Sequence, residues 1–138
     1  MPFVMHACAN PASEAPAGRH ACYILRCSAT GRTYNGYTNN MAHRLRQHNK
    51  ELRGGARATS RGGPWEVIAV VVEAAAAGAL TYTRALSLEW HIRYPTGRRP
   101  RPHTYNGASG RVAGLKLALA HPKFEDLSLI AHVRPEYL

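Results

Sequence analysis

Three segments of the chain carry the runs of apolar, aromatic and β-branched residues that are typical of β-strands. Residues 20–27 (HACYILRC) and 32–37 (RTYNGY) are separated by a Ser-Ala-Thr-Gly turn, and this arrangement predicts a β-hairpin. Residues 65–73 (WEVIAVVVE) are apolar almost throughout, which indicates a strand that is buried on both faces. The pattern therefore predicts a small, mostly antiparallel three-stranded sheet.

Three further segments space their apolar residues three and four apart, as amphipathic helices do. They cover residues 41–49, 79–93 and 111–121. Asn39 or Asn40 can cap the first helix, and Pro95 ends the second. For residues 127–133 the pattern leaves two alternatives open, a short strand or a turn of helix. The predicted fold is of the α/β (α+β) class, with helices flanking the sheet and the element order β-β-α-β-α-α.

The start of the chain lacks this periodicity, because prolines and alanines follow one another there without a regular apolar spacing. We predict a flexible N-terminal arm over residues 1–18 and a single domain over residues 19–138, since 138 residues suffice for one buried core. The chain has no apolar run of the roughly 20 residues that a membrane helix needs, and no secretory signal is visible. No membrane partner is therefore expected.

The charge of the chain is strongly one-sided. Lys and Arg number 18 against 8 acidic residues, and the formal net charge is +10. Arginines make up 15 of the basic residues, and their planar guanidinium groups match the geometry of phosphate oxygens. This balance indicates a polyanion, most simply a nucleic acid, as partner. The alternative is generic surface charge in a protein whose genome favours Arg and Ala codons.

The spacing of the three cysteines, Cys8, Cys22 and Cys27, fits neither a set of paired disulfides nor a zinc motif. Cys22 and Cys27 fall in the first predicted strand, where we expect them to act as small buried apolar residues. Unpaired cysteines favour a reducing, intracellular compartment.

The predicted hairpin places two tyrosines near each other. If residue 27 pairs with residue 32, Tyr23 lies opposite Gly36 and Leu25 opposite Tyr34. The two tyrosines then share a face, and Gly36 leaves space in front of Tyr23. A change of one residue in the loop would put the tyrosines on opposite faces. Strand aromatics also commonly serve only to pack, and the pattern leaves that alternative open.

Arg44 and His48 are four residues apart and share a face of the first predicted helix. A guanidinium there could stabilise charge on a phosphate, and a neutral imidazole could relay a proton. The alternative is a solvated basic helix that contacts phosphate without catalysis. Among the 8 acidic residues, only Glu89 falls mid-helix beside an apolar stripe. Such a carboxylate either pairs with an arginine or holds a divalent metal.

In this order along the chain, the residues resemble the motifs of the GIY-YIG nuclease superfamily. The first motif reads Ala-Cys-Tyr and ends at Tyr23, and the second reads Tyr-Asn-Gly over residues 34–36. Further similar segments are 43–49 (HRLRQHN), 54–67 (GGARATSRGGPWEV), 85–95 (ALSLEWHIRYP) and, more weakly, 111–129. The similarity is greatest to the nuclease domain of Slx-type structure-specific endonucleases. It implies a divalent-metal-dependent endonuclease that hydrolyses DNA phosphodiester bonds in branched, flapped or junction substrates, in the nucleus or wherever that DNA lies.

The resemblance also implies roles for five residues. Tyr23 matches the tyrosine proposed as general base or water-orienting group, and Tyr34 matches its partner at the scissile phosphate. Arg44 matches the arginine that stabilises charge on the phosphate, and His48 matches the histidine of the family's His-Asn pair. Glu89 matches the ligand of a single Mg²⁺ or Mn²⁺. Because a phenol has a pKa of about 10, Tyr23 is a poor base unless nearby positive charge lowers its pKa.

A basic, glycine-rich segment follows the first helix and is expected to hold flanking DNA. Its contacts to phosphate give affinity without reading the base sequence. The residues assigned to this DNA-binding surface are Arg46, Lys50, Arg53, Arg57, Thr59, Ser60 and Arg61.

Two departures from the family pattern bear on function. Asn35 stands where an apolar residue is usual, and a buried amide costs about 1–3 kcal/mol unless it is hydrogen-bonded. The alternative to an enzyme is therefore a catalytically weak nucleic-acid-binding module on the same fold. The sequence also lacks the Cys/His-rich zinc module that docks the regulatory partner of eukaryotic members, so no protein partner is assigned.

Overall fold

The computed structural model describes residues 3–75 and 78–138, which form a mixed five-stranded sheet packed between helices. The strands are β1 (Phe3–Ala7), β2 (Ala21–Cys27), β3 (Thr33–Thr38), β4 (Trp65–Glu73) and β5 (Leu129–Val133). The helices of the described residues are α1 (Met41–His48), α2 (Tyr82–Arg93) and α3 (Gly107–Leu119). The strands lie in the order β1-β5-β4-β2-β3, with β1 and β5 parallel and every other pair antiparallel.

The prediction of three antiparallel strands is wrong in number, because the sheet has two additional strands, β1 and β5. Within β1 only Phe3 is buried, so this strand carries almost no apolar alternation that the sequence could reveal. It forms by parallel pairing with β5, at the far end of the chain. Residues 3–7 of the predicted flexible arm are therefore regular structure, and residues 1 and 2 lie outside the described part. For residues 127–133 the strand alternative is the correct one.

The hairpin register agrees with the prediction. Tyr23 pairs with Gly36, Leu25 with Tyr34, and Ile24 with Asn35. Tyr23 and Leu25 join the core cluster on the α1 side of the sheet, whereas Ile24 joins the cluster on the α2 and α3 side. Because side chains alternate along a strand, Tyr34 and Asn35 leave β3 in opposite directions.

The first two helices begin at side chains that cap their N-termini. Asn40 accepts a hydrogen bond from the backbone N–H of His43 at 3.2 Å, and Thr81 accepts one from Arg84 at 3.3 Å. The central strand β4 is buried along its length apart from the half-buried Glu66. No helix in the described ranges is long and apolar enough to cross a membrane.

Candidate active site

A hydrogen-bonded chain of three side chains lies on the side of the hairpin that faces α1. Its members are Tyr23, His48 and Thr59. The Tyr23 hydroxyl lies 2.7 Å from Nε2 of His48, and Nδ1 of His48 lies 2.8 Å from Oγ1 of Thr59. The Thr59 hydroxyl donates its one proton to the carbonyl of Ala56 at 3.0 Å. Its oxygen therefore accepts from Nδ1–H of His48, which leaves Nε2 to accept from the Tyr23 hydroxyl. The chain thus assigns the tautomer of His48.

Burial keeps both Tyr23 and His48 neutral. Burial, with the charge of Arg44 adding to it, lowers the pKa of His48 to about 4. Burial raises the pKa of Tyr23 well above its usual value, although the hydrogen bond from Arg44 opposes the shift. Tyr23 would be an effective base only if its pKa were lowered. The chain's own residues do not lower it. A proton can leave Tyr23 only toward an acceptor, and Nε2 of His48 is in place.

Arg44 and Tyr34 complete the group on this face. Nε of Arg44 donates to the Tyr23 hydroxyl at 3.4 Å, while Nη1 donates to the Gly54 carbonyl at 2.7 Å and to Gln47 at 2.9 Å. No described residue accepts a hydrogen bond from Nη2. The ring of Tyr34 lies 5.2 Å from that of His48 and 6.4 Å from that of Tyr23. Four of the five predicted catalytic residues therefore come together here.

Gly36 makes this arrangement possible. A Cβ atom at this position would lie 2.5 Å from the Tyr23 hydroxyl, closer than such atoms approach. The predicted space in front of Tyr23 is thus present, and the phenol fills it.

Glu89, the fifth predicted residue, lies on α2, on the other side of the sheet. Its Oε1 accepts from Arg93 and, at 3.4 Å, from Nδ2 of Asn35. The same amide donates to the backbone carbonyl of Glu89 at 3.1 Å, and its oxygen accepts from Arg111. The buried amide of Asn35 is therefore fully bonded. Of the two alternatives for Glu89, the ion pair is present, with Arg93 as the partner. The second carboxylate oxygen of Glu89 takes no part in this pair.

That second oxygen tests whether the chain fits the divalent ion that the resemblance implies. The Glu89 side chain is 15% exposed, and no described residue donates to its Oε2. A Mg²⁺ or Mn²⁺ ion commonly keeps several waters and takes only one or two carboxylates from the protein. Glu89 therefore fits a single hydrated ion.

A cleft of about 290 Å³ joins the two sides across the edge strand β3. Tyr34 and Asn35 line it together with three guanidinium groups, those of Arg93, Arg101 and Arg111. Burial, reinforced by the charges of Arg101 and Arg93, lowers the pKa of Arg111 to about 9, and Glu89 opposes this shift. Because that value lies above neutral pH, Arg111 keeps its positive charge, which adds to the guanidinium groups of Arg93 and Arg101 beside a single carboxylate.

The predicted DNA-binding surface is mostly exposed, with one correction. Arg46, Lys50, Arg53, Arg57, Ser60 and Arg61 are exposed. Thr59 is fully buried, so its side chain does not face DNA and instead holds His48. Burial follows from its position inside the loop, where its carbonyl also accepts from Nε1 of Trp65 at 3.0 Å.

Sequence reasoning missed the role of Thr59 and the arginines that line the cleft. Arg111 carried a readable signal, because it stands four residues before Leu115 and so falls on the apolar face of the third helix. A charged residue there needs a polar partner, and the amide of Asn35, at a position where an apolar residue is usual, needs one as well. Thr59 lies in a loop without periodicity and gave no such signal.

Comparison with known proteins finds relatives that are similar to this chain in sequence. The structure-specific endonuclease subunit SLX1 homolog of Giardia intestinalis is 42% identical over 87 residues, which cover 61% of this chain and 23% of that protein. The corresponding homolog of Leishmania infantum is 36% identical over 124 residues, covering 83% of this chain and 17% of that protein. Human structure-specific endonuclease subunit SLX1 is 36% identical over 97 residues, covering 70% and 34%.

The chain spans between 17% and 34% of the length of these relatives. The GIY-YIG catalytic domain matches residues 19–106, which is more than half of the chain. Because that segment also contains both tyrosine motifs and the helices that carry Arg44, His48 and Glu89, the chain belongs to the GIY-YIG family.

Proposed function

We propose that this domain is a divalent-metal-dependent endonuclease that hydrolyses DNA phosphodiester bonds and selects branched or flapped DNA. The observation that carries the proposal is the Tyr23 hydroxyl, which lies within hydrogen-bonding distance of both His48 and Arg44. A general acid–base group and a charge-stabilising group thus meet at one oxygen beside an arginine-lined cleft. The names of the relatives, structure-specific endonuclease subunits, support the choice of branched DNA.

Proton transfer in this proposal runs along the buried chain. Water attacks phosphorus, the new P–O bond forms, the bond to the leaving 3′ oxygen breaks, and that oxygen takes up a proton from solvent. The proton of the attacking water passes to the Tyr23 oxygen as the phenol proton passes to Nε2 of His48. Nδ1–H of His48 stays bonded to Thr59, so the imidazolium that forms is held in place. The approach of the negatively charged phosphate offsets the low basicity of His48.

Arginines on both sides of β3 would stabilise the negative charge of the reacting phosphate. The Nη2 group of Arg44 would bind the phosphate from the α1 side, with Nη1 held by the Gly54 carbonyl. Arg93 and Arg101 approach across the cleft. A divalent ion on Glu89 would supply Lewis-acid stabilisation of the phosphate oxygens.

The exposed basic residues after α1 would hold the DNA that flanks the cleft. Arg53, Arg57 and Arg61 present charge without a carboxylate partner among the described residues, and such contacts engage the backbone rather than the bases. Selection would then rest on the path of the strands, which differs between a branch and a continuous duplex.

The test is cleavage of fluorescent 5′-flap, four-way-junction and linear duplex DNA of matched sequence with Mg²⁺ or Mn²⁺. We expect cut branched DNA and intact duplex, and loss of cutting but not of binding on chelation. Glu89→Gln and Tyr23→Phe should each lower the rate by at least about 100-fold. The exposed controls Glu125→Gln and Tyr82→Phe should leave the rate unchanged.

Two results would contradict the proposal in different ways. Tight binding of branched DNA without cleavage by the native chain would establish the binding-module alternative. Cleavage that is unaffected by Glu89→Gln and Tyr23→Phe would retain the enzyme but move its active centre elsewhere.

A further inference from the structure

At the edge of the sheet opposite to β3, three side chains with metal-binding atoms converge. They are the thiol of Cys8, the carboxylate of Glu14 and the imidazole of His132, and their ligand atoms all lie within 4.8 Å of one another. Sγ of Cys8 is 4.0 Å from Oε1 of Glu14. The strand β4 lies between this cluster, at β1 and β5, and the strands β2 and β3 of the candidate active site.

Three separate elements hold the cluster in place. The parallel pairing of β1 with β5 places His6 beside His132, and it continues beyond the strand, since the Cys8 N–H donates to the Val133 carbonyl at 2.8 Å. The chain then turns through a short 3₁₀ helix, Pro11–Glu14, whose first residue is buried, and this turn brings Glu14 back over Cys8. The ring of His6 packs edge-on to that of His132 at 5.9 Å.

The composition of the cluster selects among metals. Thiolate, imidazole and carboxylate are the ligand types of Zn²⁺, at about 2.3, 2.0 and 2.1 Å from the ion. Tetrahedral geometry then puts ligand atoms roughly 3.3–3.7 Å apart, so the present spacing needs only small side-chain adjustments. Mg²⁺ and Ca²⁺ prefer oxygen ligands and do not take the thiolate.

We propose that Cys8, Glu14 and His132 bind a zinc ion, with a water molecule in the fourth position. The ion would connect β1 and the 3₁₀ turn to β5, and so fasten the N-terminal strand to the end of the sheet. None of the three residues belongs to the proposed nuclease machinery, so this site stands or falls independently of it. The cysteine spacing gave no zinc motif because the ligands are far apart in sequence and only the β1–β5 pairing brings them together.

The experiment titrates the reduced, metal-free full chain with Co²⁺, a spectroscopic substitute for Zn²⁺, in excess Mg²⁺. The magnesium occupies carboxylate sites such as Glu89 without competing for a thiolate. We expect a thiolate-to-cobalt charge-transfer band that saturates at one equivalent and disappears when Zn²⁺ displaces Co²⁺. Zn²⁺ should also raise the Tm of the chain, because it binds only the folded form of the site.

Variants locate the ligands. Cys8→Ser should abolish the band, and Glu14→Gln and His132→Gln should weaken Zn²⁺ binding by more than about tenfold. The matched controls Cys27→Ser and Glu125→Gln should bind Zn²⁺ as the native chain does. Glu14 is exposed, so Glu14→Gln tests the site even if His132→Gln unfolds.

Absence of the charge-transfer band in the native chain would overturn the proposal. So would a band that survives in Cys8→Ser, or Zn²⁺ affinity that is unaffected by Glu14→Gln. Cleavage of DNA by Cys8→Ser at the native rate is expected, and it separates this site from the nuclease.

Discussion

The imidazole of His48 is bonded at both nitrogens inside the fold. Nε2 accepts from Tyr23 and Nδ1 donates to Thr59, so protonation of the ring removes a hydrogen bond that it accepts. Burial and the neighbouring charge of Arg44 act in the same direction and bring the pKa of His48 to about 4. The neutral imidazole is therefore a consequence of folding, and it couples stability to pH.

We expect the free energy of unfolding to decrease as the pH falls from 6.5, the usual pKa of a histidine, to about 4, the pKa of His48 in the fold. In this window the unfolded chain binds a proton on His48 that the folded chain does not, so acid favours unfolding. The slope from this group approaches about 1.4 kcal/mol per pH unit. Urea unfolding at a series of pH values measures it.

His48→Asn should remove this part of the slope, whatever it does to stability at neutral pH. The exposed His103→Asn serves as the matched control and should leave the slope unchanged. A slope that His48→Asn does not reduce would show that His48 titrates normally in the folded protein.

Single residues could be predicted where a short-range period fixes their geometry. The hairpin register placed Tyr23 against Gly36, and the helical period placed Arg44 with His48. His48 and Thr59 are 11 positions apart and joined by a loop, and the spacing of residues in a loop does not indicate which side chain turns inward. The basic composition around Thr59 favoured an exposed position, whereas packing placed it inside.

Among the elements, the edge strand β3 presents a different chemistry on each face. Tyr34 points to the α1 side and the proton-transfer chain, while Asn35 points to α2 and α3 and joins Glu89 to Arg111. Arg111 is 3% exposed, and its Nε and Nη1 have no protein partner among the described residues. Asn35 is therefore the one side chain in the described part of the molecule that accepts a hydrogen bond from this buried cation.

Replacing Asn35 by the apolar residue that is usual in the family should destabilise this chain. We expect Asn35→Val to cost about 2–4 kcal/mol in the free energy of unfolding, because it leaves a buried guanidinium without its acceptor. Arg111→Met should cost about 1–3 kcal/mol, because the amide oxygen of Asn35 loses its donor. The double variant should cost clearly less than the sum of the single variants.

Urea unfolding of the four proteins in this cycle measures the coupling between the two side chains. Lys116→Met, at an exposed position of the same helix, is the control and should change stability by no more than about 0.5 kcal/mol. Additive effects of Asn35→Val and Arg111→Met would mean that the contact between them does not stabilise the fold.

Strands with many buried residues could be predicted from the sequence, whereas mostly exposed strands could not. The central strand β4 was found with its bounds intact because eight of its nine residues are buried. The edge strand β1 buries only Phe3 among its five residues, and its partner β5 lies at the other end of the chain. Periodicity records the burial of a side chain but not backbone pairing, so a mostly exposed edge strand escapes it.

At the scale of the whole molecule, the arginines divide into neutralised and free groups. Arg26 and Arg134 both pair with Glu66, and Arg84 pairs with Asp126. The net charge predicted a polyanion partner, but composition could not say which arginines are free, since Arg84 and Asp126 are 42 residues apart. Among the described residues, unpaired charge remains on the loop after α1 and, in the cleft, on Arg101 and Arg111, whereas Arg93 pairs with Glu89.

This division predicts which arginines set the salt dependence of DNA binding. Arg57 and Arg61 are exposed and unpaired among the described residues, so Arg57→Gln and Arg61→Gln should each lower the slope of log Kd against log salt by about 0.9. Affinity should fall equally for substrates of different sequence, because contacts to phosphate carry no base information. Fluorescence anisotropy of labelled flap DNA over a salt series measures both quantities. Arg84→Gln removes the same charge from an ion-paired position and should leave the slope nearly unchanged. An equal effect of Arg84→Gln would mean that net charge alone attracts DNA, whereas an unchanged slope in the two loop variants would place the DNA on another surface.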